Sequence, residues 1–378
     1  MKIIRAYKFR MYPNAAQEIL INKTIGCTRF IYNQMLAKKK ENNHLSMYDL
    51  IKEIPKLYEK YPFLKEVDSM SLRCAIFDLE NGFKKYDKKQ AEYPKFKKKG
   101  MKDSYRSNYV TREYKGKTYE NIKIDLERKI IKLPKLKEIK IRGCRKLHEL
   151  PGRIINVTIE HIAKKYYVSI CVEEEKIVHE TISASVVGID VGIKNLVVTS
   201  DGEYYGNPNY LQKYEKKIKG LQKGLSRKIK GSKNYYKAKI KIQEAYRKLQ
   251  NARKKLSEEI VSKITKTHDI IVTEKLKVKE MIEKGKKQLR KEITNATFSE
   301  IIRRIEYKCK WEQKKFYQVS SYYASSQICS RCGHKEVKMK DLNKREYKCS
   351  ECGLEIERDL NASINIMCEG LFKNYQLD

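Results

Sequence analysis

The chain has 378 residues, with 84 Lys or Arg against 47 Asp or Glu and a formal net charge of +37. A field of that sign gathers polyanions, so nucleic acid is the expected partner; no apolar run approaches the roughly 20 residues of a membrane span, and MKIIRAYKFRMYP lacks the apolar centre of a secretory signal. Ten cysteines, four in two Cys-x-x-Cys pairs and six scattered (Cys27, Cys74, Cys144, Cys171, Cys309, Cys368), suit a reducing cytoplasm and a metal site, with no disulfide framework.

In chain order, KIIRAYKFRMYP alternates Tyr7, Phe9 and Met11 with Lys8 and Arg10, which predicts a half-buried strand. PNAAQ then starts a helix, with Asn14 as N-cap and Gln17 where a capping box places it. Helical patterns continue to about residue 90. Next comes YPKFKKKG, in which Lys95, Lys97, Lys98 and Lys99 stand among Tyr93 and Phe96. That mixture suits phosphate charge and base stacking, although a merely solvated lysine loop reads the same. From about 105 to 180 the period becomes two, which predicts a small β-barrel with the 14–100 helices inserted after its first strand.

SVVGID is almost continuously apolar, as a strand covered on both faces would be, and NLVVTSDG reads as its hairpin partner with YYG as a short third strand. Leu211, Tyr214, Ile218, Leu221, Leu225 and Ile229, then Ile242, Ala245, Leu249, Ala252, Leu256 and Ile260, keep a helical spacing broken at KGSKN, so a helical hairpin is expected. DIIVTE is a further strand, followed by a helix around 295–314, the strand KFYQVS, and a last helix at LNASINIMCEGLF. This is the element order of the α/β ribonuclease H fold.

Cys329, Cys332, Cys349 and Cys352 give C-x₂-C, a 16-residue spacer and C-x₂-C. Four soft thiolates at that spacing suit one structural Zn²⁺ in a zinc ribbon, which leaves His334 an ordinary loop residue. Asp190 stands inside an apolar strand between Gly188 and Gly192, Glu274 ends DIIVTE, and Asp359 opens the last helix. In a ribonuclease H-like sheet these places converge at one end, where three carboxylates can hold two Mg²⁺ ions roughly 4 Å apart for phosphodiester hydrolysis. Each acid also has a plainer role available: Asp190 satisfied by backbone amides, Glu274 at a surface strand end, Asp359 as a helix cap.

FRMYPN…Q, YPKFKKKG, VGIDVGIKNL, GSKN, VTEKLKVKEM, SSQICSRCG and ERDLNASINI, in that order over nearly the whole chain, resemble the transposon-encoded TnpB nucleases, compact relatives of type V CRISPR effectors. The resemblance implies a RuvC-type centre at Asp190, Glu274 and Asp359. It implies a wedge domain from residues 1–12 and 105–182, with a helical recognition insert at 13–104. A RuvC-like nuclease is expected at 183–325 with a helical hairpin at 208–266, then a zinc ribbon at 326–354 and the final helix at 355–378. It also implies a guide RNA transcribed from the transposon end, pairing with target double-stranded DNA beside a short transposon-adjacent motif. The protein would be monomeric in its ribonucleoprotein, in a prokaryotic cytoplasm at the nucleoid. Arg358 and Asn361 would then reach phosphate beside Asp359, Ser325, Ser326 and Gln327 would line the same groove, and Ser71 and Arg73 would approach the adjacent motif. The chain departs from the family where Glu274 is followed by Lys275 and Leu276 in place of the usual E-D-L. Two rivals remain: a guided DNA-binding repressor, which would have lost an acid, and a strand-joining transposase, whose acids usually run Asp, Asp, Glu.

Overall fold

The computed structural model describes every residue except 101–102, 144–148, 176–184, 341–343 and 376–378, so Cys144 and the expected boundary at 182–183 lie outside the described residues. The chain divides into two units, Met1–Ile177 and Val178–Asp378, each with its own apolar core.

The first unit opens with β1 (Lys2–Tyr12), then α1 (Ala15–Glu41), α2 (Met47–Lys52), α3 (Ile54–Lys60), a 3₁₀ turn (Pro62–Glu66) and α4 (Ser69–Asp87). The capping box forms as expected: Gln17 N–H donates to Asn14 Oδ1 at 2.9 Å and Asn14 N–H donates to Gln17 Oε1 at 3.0 Å. Eight strands follow: β2 (Ser104–Asn108), β3 (Thr111–Tyr114), β4 (Lys117–Glu120), β5 (Lys123–Asp125), β6 (Ile130–Leu133), β7 (Lys137–Arg142), β8 (Arg153–Ile162) and β9 (Lys165–Glu175). Seven strands form one sheet in the order β2-β8-β9-β1-β7-β6-β5, and β3 pairs with β4 separately. The first strand therefore lies between β9 and β7, and the helices are an excursion from this sheet. The predicted barrel is not closed by hydrogen bonds among the described residues, since β2 and β5 remain the edges. The physical reason lies in α1: its Ile21 and Ile25 fill the apolar face alongside Tyr105, Met11, Val168 and Ile131, doing with a helix what closure would otherwise do.

The second unit contains β10 (Val186–Asp190), β11 (Asn195–Thr199), β12 (Tyr204–Gly206), α5 (Tyr210–Ser226), α6 (Lys233–Thr267), β13 (Ile270–Glu274), α7 (Val278–Lys284), α8 (Lys287–Ala296), α9 (Phe298–Glu312), β14 (Lys315–Val319), β15 (Glu346–Lys348), β16 (Glu355–Glu357) and α10 (Arg358–Tyr375). Its sheet runs β12-β11-β10-β13-β14, with the first three antiparallel and with β13 and β14 parallel to β10. YYG is thus the third strand. One face packs Val187, Ile189 and Ile271 on Ile260, Ile264, Ile301 and Ile305 of α6 and α9; Val272 and Val319 meet Ile366 of α10. Burial on both faces is why these strands read as unbroken apolar runs. The helix expected around 295–314 is α9, set off from the preceding α8 by Thr297, which has a left-handed φ of 54°. One expectation changes here. Ile229 lies beyond the end of α5 and is 83% exposed, so it continues the spacing without joining the core.

Candidate active site and metal knuckle

The parallel register of β10 and β13 pairs Ile189 with Thr273, so the two strands end side by side on Asp190 and Glu274. The third acid arrives on α10, which rests on β10 where Gly188 has no side chain. A Cβ there would stand 2.1 Å from Ser363 O, and one at Gly370 would stand 2.2 Å from Val272 Cγ1. Gly188 thus admits a helix backbone, one turn after Asp359, instead of a ligand. Glu357 caps that helix by accepting Leu360 N–H at 3.0 Å, which leaves the Asp359 side chain free of that duty. Asp359 is 6% exposed, and its Oδ1 accepts from Nε and Nη2 of Arg358 at 3.2 and 3.0 Å. Arg345 Nη1 lies 3.6 Å from Oδ2.

Asp190 feels both burial and the other two acids. Burial, then the charges of Asp359 and Glu274, push the Asp190 carboxyl up to about 7. Burial pushes Glu274 up to about 7 as well. Three carboxylates from separate elements, two of them reluctant to ionise, form a hard oxygen donor set that added positive charge would relieve. Among the described residues the one group of possible ligands whose atoms all lie within 4.8 Å of one another is the cysteine quartet.

The four cysteines are close-set. Cys329 Sγ to Cys352 Sγ and Cys332 Sγ to Cys349 Sγ are both 3.6 Å, near the roughly 3.8 Å edge of a tetrahedron with Zn–S bonds of about 2.3 Å. Gly333 and Gly353 turn the two knuckles with φ of +77° and +70°, each returning its N–H to the first cysteine of its pair. Tyr347 is fully buried among Cys329, Met339 and Cys349. His334 faces Ser350 and Glu336, as a loop residue would.

The expected nucleic-acid contacts divide. Tyr93 and Phe96 are exposed, with Lys40 Nζ over the Phe96 ring at 4.7 Å. Their segment is fixed by Asn33, whose side chain pairs with both backbone groups of Lys97 at 2.8 and 3.0 Å. Lys95, which pairs with Glu92, and Lys97, Lys98, Lys99 and Arg73 are all exposed. Ser71 is buried: its hydroxyl donates to Asp68 O at 2.6 Å, and its N–H to the Asp68 carboxylate, so it serves the cap of α4. Asn361 is also fully buried, accepting Ser330 N–H at 2.9 Å and donating to Ile328 O at 2.7 Å. Ser325 is buried with its carbonyl on Asn365 Nδ2 at 2.8 Å, and Arg358 is buried against Asp359. Ser326 and Gln327 are half-buried, the latter tied through its carbonyl to Glu336 N–H. Four of the thirteen expected contacts are thus turned inward: the side chains of Ser71, Asn361 and Arg358 each bind a backbone carbonyl, and the carbonyl of Ser325 is itself taken by Asn365. Arg345, Glu357, Asn365 and Gly370 were not singled out from sequence. The four-residue spacing of Asn361 and Asn365 on one helix face was the available signal; Arg345 carried none.

Family models match three stretches: "Probable transposase" over residues 169–285, "Cas12f1-like, TNB domain" over 298–366, and "Helix-turn-helix domain" over 1–44. Over that last range the chain shows β1 and one long helix, α1. The protein of Escherichia coli (strain K12) named "Putative RNA-guided DNA endonuclease InsQ" is 32% identical over 394 residues, covering 98% of this chain and 93% of that one. A Streptomyces pristinaespiralis protein of the same descriptive name is 29% identical over 378 residues, covering 98% and 90%. The fold resembles the protein in a Cas12f1–sgRNA–target DNA complex, with a TM-score of 0.59 and 15% identity over 97% of this chain and 99% of that one. Matched at 32% identity along nearly its whole length by the Escherichia coli protein, the chain belongs to the transposon-encoded TnpB family.

Proposed function

We propose that this protein is an RNA-guided endonuclease that hydrolyses double-stranded DNA beside a short adjacent motif, with Asp190, Glu274 and Asp359 as its catalytic carboxylates. The observation that carries the reading is that β10, β13 and α10 bring three acids, distant in sequence, near enough for Asp190 to feel the other two charges. The strand order and the parallel β13 and β14 support a ribonuclease H-like, RuvC-type core. Whole-length relatives named as RNA-guided endonucleases support the guide. The partners are then a guide RNA from the transposon end and a target duplex, held by one copy of the protein in the cytoplasm.

The three carboxylates would hold Mg²⁺, and the cysteine quartet one structural Zn²⁺. When bound, a pair of divalent ions supplies positive charge against the leaving oxygen and makes a water molecule more acidic. The chain's own contribution is rigidity: a sheet buried on both faces fixes Asp190 and Glu274, and α10 seated on Gly188 fixes the turn that carries Asp359. Replacing Asp190 with Ala is expected to abolish Mg²⁺-dependent plasmid cleavage while the copurifying RNA is retained. Cleavage that survives would sink the assignment. The family description "Probable transposase" favours a second reading, strand joining; a supercoiled-plasmid assay separates the two, since joined products in place of free 5′-phosphate ends would exclude simple hydrolysis.

A further inference from the structure

We propose that Arg358 is a positioning residue: it ties the orientation of the Asp359 carboxylate to the folded state of the cysteine knuckle. The inference rests on the reading of Asp359 as a cation-binding acid. The second strand of the knuckle, β16, runs without a loop into α10, so Arg358 is the joint between the two. Its peptide N–H donates to Arg345 O at 2.7 Å and its Nη1 to Lys344 O at 3.1 Å. Both acceptors lie on the chain entering β15, the other strand of the knuckle. The opposite edge of the same guanidinium gives Nε and Nη2 to one oxygen, Asp359 Oδ1. One planar group thus spans from knuckle backbone to carboxylate.

That geometry selects an orientation. The terminal torsion of an aspartate is broad and soft. Oδ1 takes two charge-assisted bonds from Arg358, while Oδ2 has only the longer ion pair with Arg345 Nη1 at 3.6 Å, so the carboxylate is restrained and Oδ2 is the oxygen more open to a further partner. Arg358 and Asp359 are 7% and 6% exposed, so water does not easily replace either partner. The other limb of the knuckle is gripped by the same helix: Asn361 binds Ser330 and Ile328, and Asn365 donates to Ser325 O and Ile328 O at 2.8 and 2.6 Å. The knuckle's core is small, Cys329, Met339, Tyr347 and Cys349 with Cys352, Leu354 and Ile356 against them, and three of these seven side chains are the cysteines themselves, so its fold depends on the bound ion. Loss of that ion removes the carbonyls of residues 344 and 345 from Arg358. The guanidinium then loses its anchor on Lys344 O while still holding Asp359 Oδ1, so it is free to swing and the Asp359 carboxylate turns with it. The effect is local, because α10 keeps its seat on Gly188 and Val272.

The test measures Mn²⁺ binding to the intact ribonucleoprotein by electron paramagnetic resonance of the free ion. Arg358→Lys keeps the charge and loses the fork, and is expected to weaken Mn²⁺ binding about tenfold or more, with RNA content and melting temperature unchanged. Cys332→Ser, with zinc content measured, should weaken it similarly. The double variant should be no worse than the poorer single, because both break one linkage. Where Cys332→Ser lowers the melting temperature of the whole protein, Asn361→Ala loosens the other limb without touching a sulfur. Unchanged Mn²⁺ binding in Arg358→Lys, or penalties that multiply in the double variant, would overturn the coupling. Asp190→Asn is the control on the parent reading. If it also leaves Mn²⁺ binding intact, the carboxylate site itself is wrong; if it abolishes binding while Arg358→Lys does not, only the coupling fails.

Discussion

Asp190 is placed where a carboxylate is costly to ionise. Its pKa is raised to about 7, against roughly 3.9 in an unfolded chain. The sign follows directly: below about pH 4 the group is protonated in both states and carries no penalty. Between there and 7 the unfolded chain ionises more readily, so folding is progressively disfavoured, fully so above 7. Asp190→Asn is therefore expected to raise the melting temperature in EDTA at pH 8 by several degrees, on the order of 1–3 kcal/mol. The gain should shrink towards pH 4, and Mg²⁺ should narrow it at pH 8 by stabilising only the native protein. Calorimetry with and without Mg²⁺ checks this; a variant no more stable than the native protein in EDTA at pH 8 would refute it. The same discomfort made Asp190 legible in the sequence, since a charge inside VVGID is an anomaly that asks for a partner. The burial of Ser71, Arg358 and Asn361 was not legible for the converse reason. A polar residue that satisfies a buried backbone group and one that awaits a phosphate are identical in sequence, and only the fold tells which carbonyl stands beside it.

At the scale of elements, the site depends on how closely α10 approaches the sheet. A methyl group at Gly188 would overlap Ser363 O, a backbone atom that cannot step aside alone. Gly188→Ala is expected to lower stability by about 3 kcal/mol and to abolish cleavage by displacing Asp359. Gly224→Ala lies within α5 with open space around it and should instead add roughly 1 kcal/mol through helix propensity. Thermal melts of the two variants test this, and equal effects would mean that α10 is not seated as described. The strands beneath α10 were readable because burial on both faces erases alternation. Closure of the first unit's sheet was not, because the same two-residue period serves a barrel and an open sheet, and the deciding residues, Ile21 and Ile25, lie on a helix far upstream.

For the molecule as a whole, the net charge named nucleic acid as partner without saying where it binds. The charge is spread unevenly over the fold. Residues 210–255, which span α5 and the outer part of α6, hold 17 Lys or Arg and 2 Asp or Glu, whereas residues 256–267 hold 2 of each. The change comes where α6 stops sharing a core with α5, through Ile218, Ala245 and Leu249, and begins packing on the sheet through Ile260, Val261 and Ile264. A compositional bias alone would have no reason to stop there; a hairpin that follows phosphates would. Lys216, Lys223, Lys237, Lys241, Lys248 and Lys254 are all exposed, so their joint replacement by Gln should leave the melting temperature unchanged. If each meets a phosphate of the guide RNA, the slope of log affinity against log salt should become shallower by roughly 4. Filter binding of the structured RNA from 50 to 300 mM salt measures it. An unaltered slope would return the hairpin's charge to plain solvation and place the guide on other surfaces, the exposed lysines and aromatics of residues 93–99 first among them.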